Sequence, residues 1–193
     1  MFLLRKPSVL VIEAFLSRQR TQTFSYIEVG STNATLPPTY TIDRNRVVLG
    51  SGKQVFQHAS GLLRSWQMFK LGWVDVHPAG APIKVDETVA VLVRHFGFWS
   101  LNACRIVYVF ENERSFGFAY GTLTDHAEQG EERFSIEWSA EDDSVSYNIL
   151  AFSKPKKLAA RVMRPLSRKL QKRFAQDSLA AMKGSVWSRH NYV

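Results

Sequence analysis

The chain reads as an α+β domain: a curved antiparallel sheet packed on a long C-terminal helix, with an N-terminal helical extension. Three observations predict this. Residues 73–152 alternate apolar and polar in a series of short runs joined by tight polar turns, the pattern of an antiparallel meander. Residues 155–182 carry an apolar stripe at helical spacing through Leu158, Val162, Leu166, Leu170 and Phe174, continued by Leu179 and Met182. No other element is large enough to bury the apolar face of such a sheet.

The elements follow in order. Residues 7–20 predict a helix with Pro7 in its first turn and Val11 and Phe15, joined by Leu10 and Ile12, on its apolar face. The stretch GSTNATLPP, 30–38, is a loop by composition. A strand over 40–49 ends at Gly50-Ser51-Gly52. A second helix is expected over 53–71, since Val55, Phe56, Ala59, Leu62, Leu63, Trp66 and Phe69 share one face; Ser51 is its expected N-cap and Gly72 its stop. Strands are then expected near 73–76, 86–95, 102–111, 115–123, 131–138 and 144–152. Pro165 should kink or split the last helix. One domain is expected over 1–183, with 1–38 as a preamble able to cap or block a cavity mouth, 39–183 as the body and 184–193 as a loose tail.

Charge and composition bound the function only loosely. The chain of 193 residues has a formal net charge of +8. Nine basic residues and no acidic ones fall between Lys154 and Arg173, so the rest is close to neutral. This basic helix is either a solvated face or a site for an anionic partner, nucleic acid or membrane surface. Cys104 is the only cysteine, which excludes an internal disulfide and agrees with a reducing, cytoplasmic setting. No apolar run reaches the roughly 18 residues of a transmembrane helix, and no secretory signal is read in the first residues.

The candidate site lies in the hairpin FGFAYGTLTDHAEQGEERF, 116–134. Strand parity puts Phe116, Phe118, Tyr120 and Thr122 on one face of its first strand and Glu132, Phe134, Ile136 and Trp138 on one face of its second. Glu131, Arg133, Ser135 and Glu137 form the opposite, polar face. Glu132 at the end of an apolar row should be desolvated, with a raised pKa suited to acid/base work; the ordinary alternative is a solvated or paired rim carboxylate. His126 in the turn can pair with Glu131 or Glu132, or stand as a surface histidine. Tyr120 offers a hydroxyl to a ligand, or fills the core. Arg105, inside an apolar strand, should meet either an ion-pair partner or an anionic ligand, with Arg94 and His95 as neighbours. Trp66, Phe118 and Phe134 complete the expected apolar walls.

Other chemistry has no signature. Gly50-Ser51-Gly52-Lys53 lacks the spacing of a phosphate loop. The five histidines are scattered, no metal spacing occurs, and no cofactor motif is present. Cys104 sits mid-strand as a core thiol, and no nucleophile motif is found.

The order of elements resembles the helix-grip fold of lipid-transfer and polyketide-cyclase-like proteins, which implies a sheet wrapped around a helix over an internal cavity. Phrases spread over about 7–182 resemble uncharacterised protein family 0548: Phe24-Ser25-Tyr26, Gly72-Trp73, Cys104-Arg105-Ile106-Val107-Tyr108, Gly117-Phe118 with Tyr120-Gly121-Thr122-Leu123, and Gly130-Glu131-Glu132-Arg133-Phe134. That resemblance implies one domain and supplies no catalytic roles. The expected function is therefore binding of a small apolar or amphipathic molecule; the alternatives are an acid/base enzyme using Glu132 with His126 or Tyr120, and an anionic-surface binder.

Overall fold

Eight antiparallel strands form one sheet in the computed structural model, which describes residues 1–126, 128–156 and 164–190. The elements are β1 (Phe2–Leu3), α1 (Val9–Gln19), β2 (Thr41–Ser51), α2 (Gly52–Arg64), β3 (Val74–His77), β4 (Thr88–His95), β5 (Phe98–Asn112), β6 (Ser115–Thr122), β7 (Glu128–Trp138), β8 (Ser144–Pro155) and α3 (Arg164–His190). The strand order is β2-β8-β7-β6-β5-β4-β3, with β1 paired to the start of β5. The chain lays β2 at one edge, carries α2 across the open face, starts again at the opposite edge with β3, and meanders back by hairpins. Register breaks in β2 near Gly50 and in β5 near Tyr108 are the irregularities that bend such a sheet.

The inner face buries the main core. Ile106, Phe116, Phe118, Phe134, Ile136 and Tyr147 point inward from the strands and meet Phe56, Ala59 and Leu63 of α2, and Ala175, Met182 and Val186 of α3. The outer face is covered too. Ile12, Phe15 and Leu16 of α1 pack on Ala90, Leu92, Leu101 and Ala103, while Tyr26 and Tyr40 pack on Phe152. The preamble thus lies across the back of the sheet; only its first residues reach the rim of the inner face. The apolar groups of its later part match outward-pointing small and apolar strand residues, so that part lies away from the inner space.

Several elements differ from expectation. Of the expected apolar face of α1, Ile12 and Phe15 are buried, whereas Leu10 and Val11 are exposed. Helix α2 stops at Arg64 because Trp66 takes a left-handed conformation, φ 57°, and a 3-10 turn follows at Gln67–Phe69. The indole of Trp66 holds this break by donating to the Ala81 carbonyl at 2.7 Å. Ser51 stands at the N-cap position, but its hydroxyl makes no capping bond. Strand β8 runs to Pro155, so Lys154 belongs to the sheet. The described helix α3 begins at Arg164 with Pro165 in its first turn, where a missing amide costs nothing. It continues through Gly184 to His190, and Val186 is buried, so 184–190 is helix and not a loose tail. The stripe residues Leu158 and Val162, and the basic residues Lys157 and Arg161, lie outside the described residues.

Candidate functional site

The inner face changes character along the strands. At one end its rungs carry Phe116, Ile136 and Tyr147, which fill the core. The next rung pairs Phe118 with Phe134 and Phe134 with Ile149. Then comes a rung of Ile106, Tyr120, Glu132, Ala151 and Asp43, and beyond it Cys104, Thr122, Gly130 and Ser153. Small and polar side chains at that end leave a space of about 640 Å³ between the sheet and α3. Among the described residues its apolar lining includes Phe69, Val91, Val93, Leu170 and Phe174, and its polar lining includes Asn45, Asn102, Tyr120 and Glu132. The two phenylalanines come from different elements, the 3-10 turn and α3, and their rings lie 5.0 Å apart.

Tyr120 and Glu132 face each other across β6 and β7, and the tyrosine hydroxyl donates to Glu132 Oε2 at 2.8 Å. Glu132 lines this space. Enclosure by protein raises its pKa to about 7; the Tyr120 bond opposes that rise, and the nearby Asp43 charge adds to it. No cation forms an ion pair with Glu132 among the described residues. The Tyr120 hydroxyl is itself pushed well above its usual value, first by burial and then by the Glu132 charge, so it remains a donor at any ordinary pH. Cys104 is buried with its thiol pushed up in the same way, an inert neighbour.

The rim is held by a second polar group. Arg168 of α3 donates to both carboxylate oxygens of Asp43 at 2.5 and 2.6 Å and to Gln171 Oε1 at 2.9 Å. Gln171 in turn donates to Ser153 at 3.2 Å. This network ties the start of α3 to β2 and β8. Arg173 stacks over Trp73 at 4.3 Å and lies 3.4 Å from Asp177. With Lys154 over the Tyr40 ring and Lys156 donating to the Thr124 carbonyl, four members of the basic segment serve internal contacts among the described residues.

Other expected site residues stand elsewhere. Trp66, Phe118 and Phe134 form a packed aromatic cluster, with Trp66 and Phe118 at 5.1 Å and Phe118 and Phe134 at 5.5 Å. They back the space instead of bordering it. Arg105 points to the outer face, where its guanidinium donates to the carbonyls of Gln19 (3.2 Å) and Arg20 (2.9 Å) and to the Thr88 hydroxyl (3.2 Å). It caps the C-terminal end of α1, so it meets neither a carboxylate nor the inner space; free helix-end carbonyls take its hydrogen bonds. Arg94 lies over Trp99 and does not join it. His126 borders the space, but its Nδ1 accepts from the Glu128 amide at 3.0 Å, and burial lowers its pKa to about 4. It is neutral at pH 7 and bonds neither glutamate.

Glu131 was the residue that strand parity concealed. It points outward, yet it is only 2 % exposed. It accepts from Tyr26 Oη (2.8 Å), the Gly30 amide (2.7 Å), the Thr32 amide (3.0 Å) and the Thr32 hydroxyl. The signal for it was the row Gly117, Ala119, Gly121 on the outer face of β6: small residues there leave room for a covering segment.

Comparison with known proteins agrees with this architecture. The domain of unknown function family DUF1990 matches residues 25–181. A UPF0548 protein from Dictyostelium discoideum is 36 % identical, covering 99 % of this chain and 98 % of its own. Another from Deinococcus radiodurans is 36 % identical over 91 % of this chain and 94 % of its own. Among solved structures, a START superfamily protein from Mycobacterium smegmatis superposes with a TM-score of 0.52 at 16 % identity, covering 76 % of this chain and 97 % of that one. The Zhui aromatase/cyclase from Streptomyces sp. R1128 gives 0.53 at 12 % identity, covering 78 % and 95 %. At such identities these two establish a shared helix-grip architecture and nothing finer. By sequence along nearly its whole length, this chain belongs to the DUF1990 family of UPF0548 proteins.

Proposed function

We propose that this protein binds an amphipathic small molecule between the sheet and α3. Its apolar body would lie against Phe69, Leu170 and Phe174, and its polar group would meet the Tyr120–Glu132 pair. The observation that carries this reading is the graded inner face, which ends in a space of about 640 Å³ with the Glu132 carboxyl on its floor, bonded to Tyr120 and without an ion-pair partner among the described residues. That volume falls within the roughly 300–1,000 Å³ typical of small-molecule sites, and an apolar wall with few convergent polar groups is their usual chemistry. An aromatic ring introduced by Tyr120→Trp would occupy the space and remove the hydroxyl. An environment-sensitive apolar dye should bind the wild-type protein saturably and the variant at least roughly tenfold more weakly. Native mass spectrometry should find a co-purified molecule released on mild denaturation. A protein that is empty and takes up no dye or lipid overturns the reading.

The pKa of Glu132 supports a second reading, general acid/base catalysis on the bound molecule. A carboxyl that titrates about 7 is poised to give or take a proton near neutral pH. Tyr120 would orient a ligand oxygen beside it. The fold analogy with an aromatase/cyclase raises this reading by analogy alone. A carbon-13 titration of Glu132 that returns an ordinary glutamate value removes its support. A raised value, with turnover of the co-purified molecule lost in Glu132→Gln, establishes it.

A further inference from the structure

The turn between β4 and β5 has the wrong residue for its geometry. His95 and Phe98 pair across the hairpin, so Phe96-Gly97 is a two-residue loop, and both residues have positive φ, 48° and 79°. Such turns favour Asn-Gly, because bulky side chains rarely adopt the left-handed conformation. Phe96 accepts that conformation while 62 % exposed, so its ring neither suits the turn nor fills a core. Strain and exposure in one residue point to a role outside folding.

Phe96 is not alone. Phe98 beside it is exposed, and β1 lies alongside with Phe2 at 66 % and Leu4 at 78 % exposure. The Phe2 ring lies 6.1 Å from His95, and His95 lies 6.0 Å from Phe96, so the apolar groups form one continuous patch. The other exposed apolar residues lie on other elements, among them Val9, Leu10 and Val11 on α1, Ile27 in the preamble and Trp187 on α3. The charges around the patch are mostly basic: Asp75 lies with Lys6, Lys70 and Trp99 around one cleft, and Asp125 lies near the N-terminal amine. Residues 1–12 and 94–102 hold Arg5, Lys6 and Arg94 and no Asp or Glu. Lys6 and Arg94 both lie over the ring of Trp99, at 5.6 and 5.9 Å. Phe2 and His95 also border the space between the sheet and α3, so the patch sits at its mouth.

We propose that the β4–β5 turn and β1 form a docking surface for an anionic lipid bilayer, with Phe2, Leu4, Phe96 and Phe98 entering the interface and Arg5, Lys6 and Arg94 meeting the headgroups. A protein partner would also cover apolar side chains, but the excess of cations beside them, and aromatic tips on a turn, fit a negatively charged surface that has an apolar layer just beneath it. The docking rests on the patch itself. Its consequence, that a ligand would pass between the bilayer and the protein interior without crossing water, rests on the binding function proposed above.

The test is vesicle flotation with the full chain. One set of vesicles is phosphatidylcholine alone and the other a roughly three-to-one mixture with phosphatidylserine. The wild-type protein should float with the acidic vesicles and much less with the neutral ones, and added salt should release it. Phe96→Asn installs the residue the turn prefers, so it folds at least as well, and it should weaken flotation roughly tenfold or more, the loss expected for one aromatic insertion. Arg94→Glu should weaken it by at least about fivefold. Dye binding in the interior, measured on the same variants without vesicles, should be unchanged, which separates loss of docking from loss of the binding site. The proposal is overturned by a wild-type protein that ignores acidic vesicles, by equal flotation with neutral ones, or by a Phe96→Asn variant that floats like the wild type. It is also overturned if the wild-type protein is a dimer that Phe96→Asn makes monomeric, since the patch then belongs to a second copy.

Discussion

Glu132 couples the site to the stability of the fold. Its carboxyl titrates about 7 in the folded chain against a model value of 4.5, because enclosure disfavours the charge. A raised carboxylate pKa means the folded state holds the proton more tightly than the unfolded state. The contribution of Glu132 to stability is therefore greatest below pH 4.5, falls as pH rises from 4.5 towards 7, and stays at its lower level above that. Glu132→Gln keeps the shape and removes the charge, so it should flatten this slope and raise stability at pH 8 by on the order of 1–3 kcal/mol, read from urea melts across pH. Tyr120→Phe tests the local balance. The tyrosine hydroxyl stabilises the carboxylate form, so its loss should move the Glu132 pKa further up, visible in a carbon-13 titration. A pKa that falls in this variant would mean that the hydroxyl favours the protonated acid instead.

At the scale of elements, the preamble is tied to the sheet by one buried carboxylate and one missing side chain. Glu131 takes four hydrogen bonds from the Tyr26–Thr32 segment, and Tyr26 reaches it only because β6 has glycine at 121. A Cβ built on Gly121 would lie 2.0 Å from the tyrosine oxygen and 2.9 Å from its ring. Gly121→Ala should thus displace Tyr26 and cost about 1–3 kcal/mol, through overpacking and the stranding of a buried carboxylate. Glu131→Ala should cost about 3 kcal/mol, since it leaves two buried amides and two hydroxyls without their shared acceptor. In hydrogen exchange both variants should deprotect the 24–33 segment before the inner core, because the bonds they break join that segment to the outer face alone. Simultaneous loss of protection in α2 would show instead that the two faces unfold as one unit.

The whole molecule shows why some of this was legible in sequence and some was not. Each strand of the meander announced itself through alternation, and strand parity put Tyr120 and Glu132 each on the apolar face of its own strand, because both signals are local; their pairing needed the register between β6 and β7. The partners of Arg105 and Glu131 were missed because they lie roughly 85 and 100 residues away in the chain, on a preamble whose path over the outer face no periodicity records. The end of α3 failed for a related reason. Gly184 and the polar residues after it look like a frayed terminus, yet Val186 is 1 % exposed within the main core and Gln67 donates to the Ser185 hydroxyl at 2.9 Å. Helix propensity falls at Gly184, but tertiary burial overrides it. That makes a prediction about the molecule as a unit. Val186→Ala removes two methyl groups from a filled core and should cost about 1–3 kcal/mol. Deleting residues 184–193 should cost more, since it also opens the contact between α3 and the 3-10 turn that carries Phe69. Because Phe69 walls the inner space, the deletion should weaken dye binding along with stability, whereas Gly121→Ala, acting on the outer face, should lower stability and leave dye binding intact. Equal effects of both changes on dye binding would mean that the sheet transmits disturbance from one face to the other, and that the inner space depends on the preamble as much as on α3.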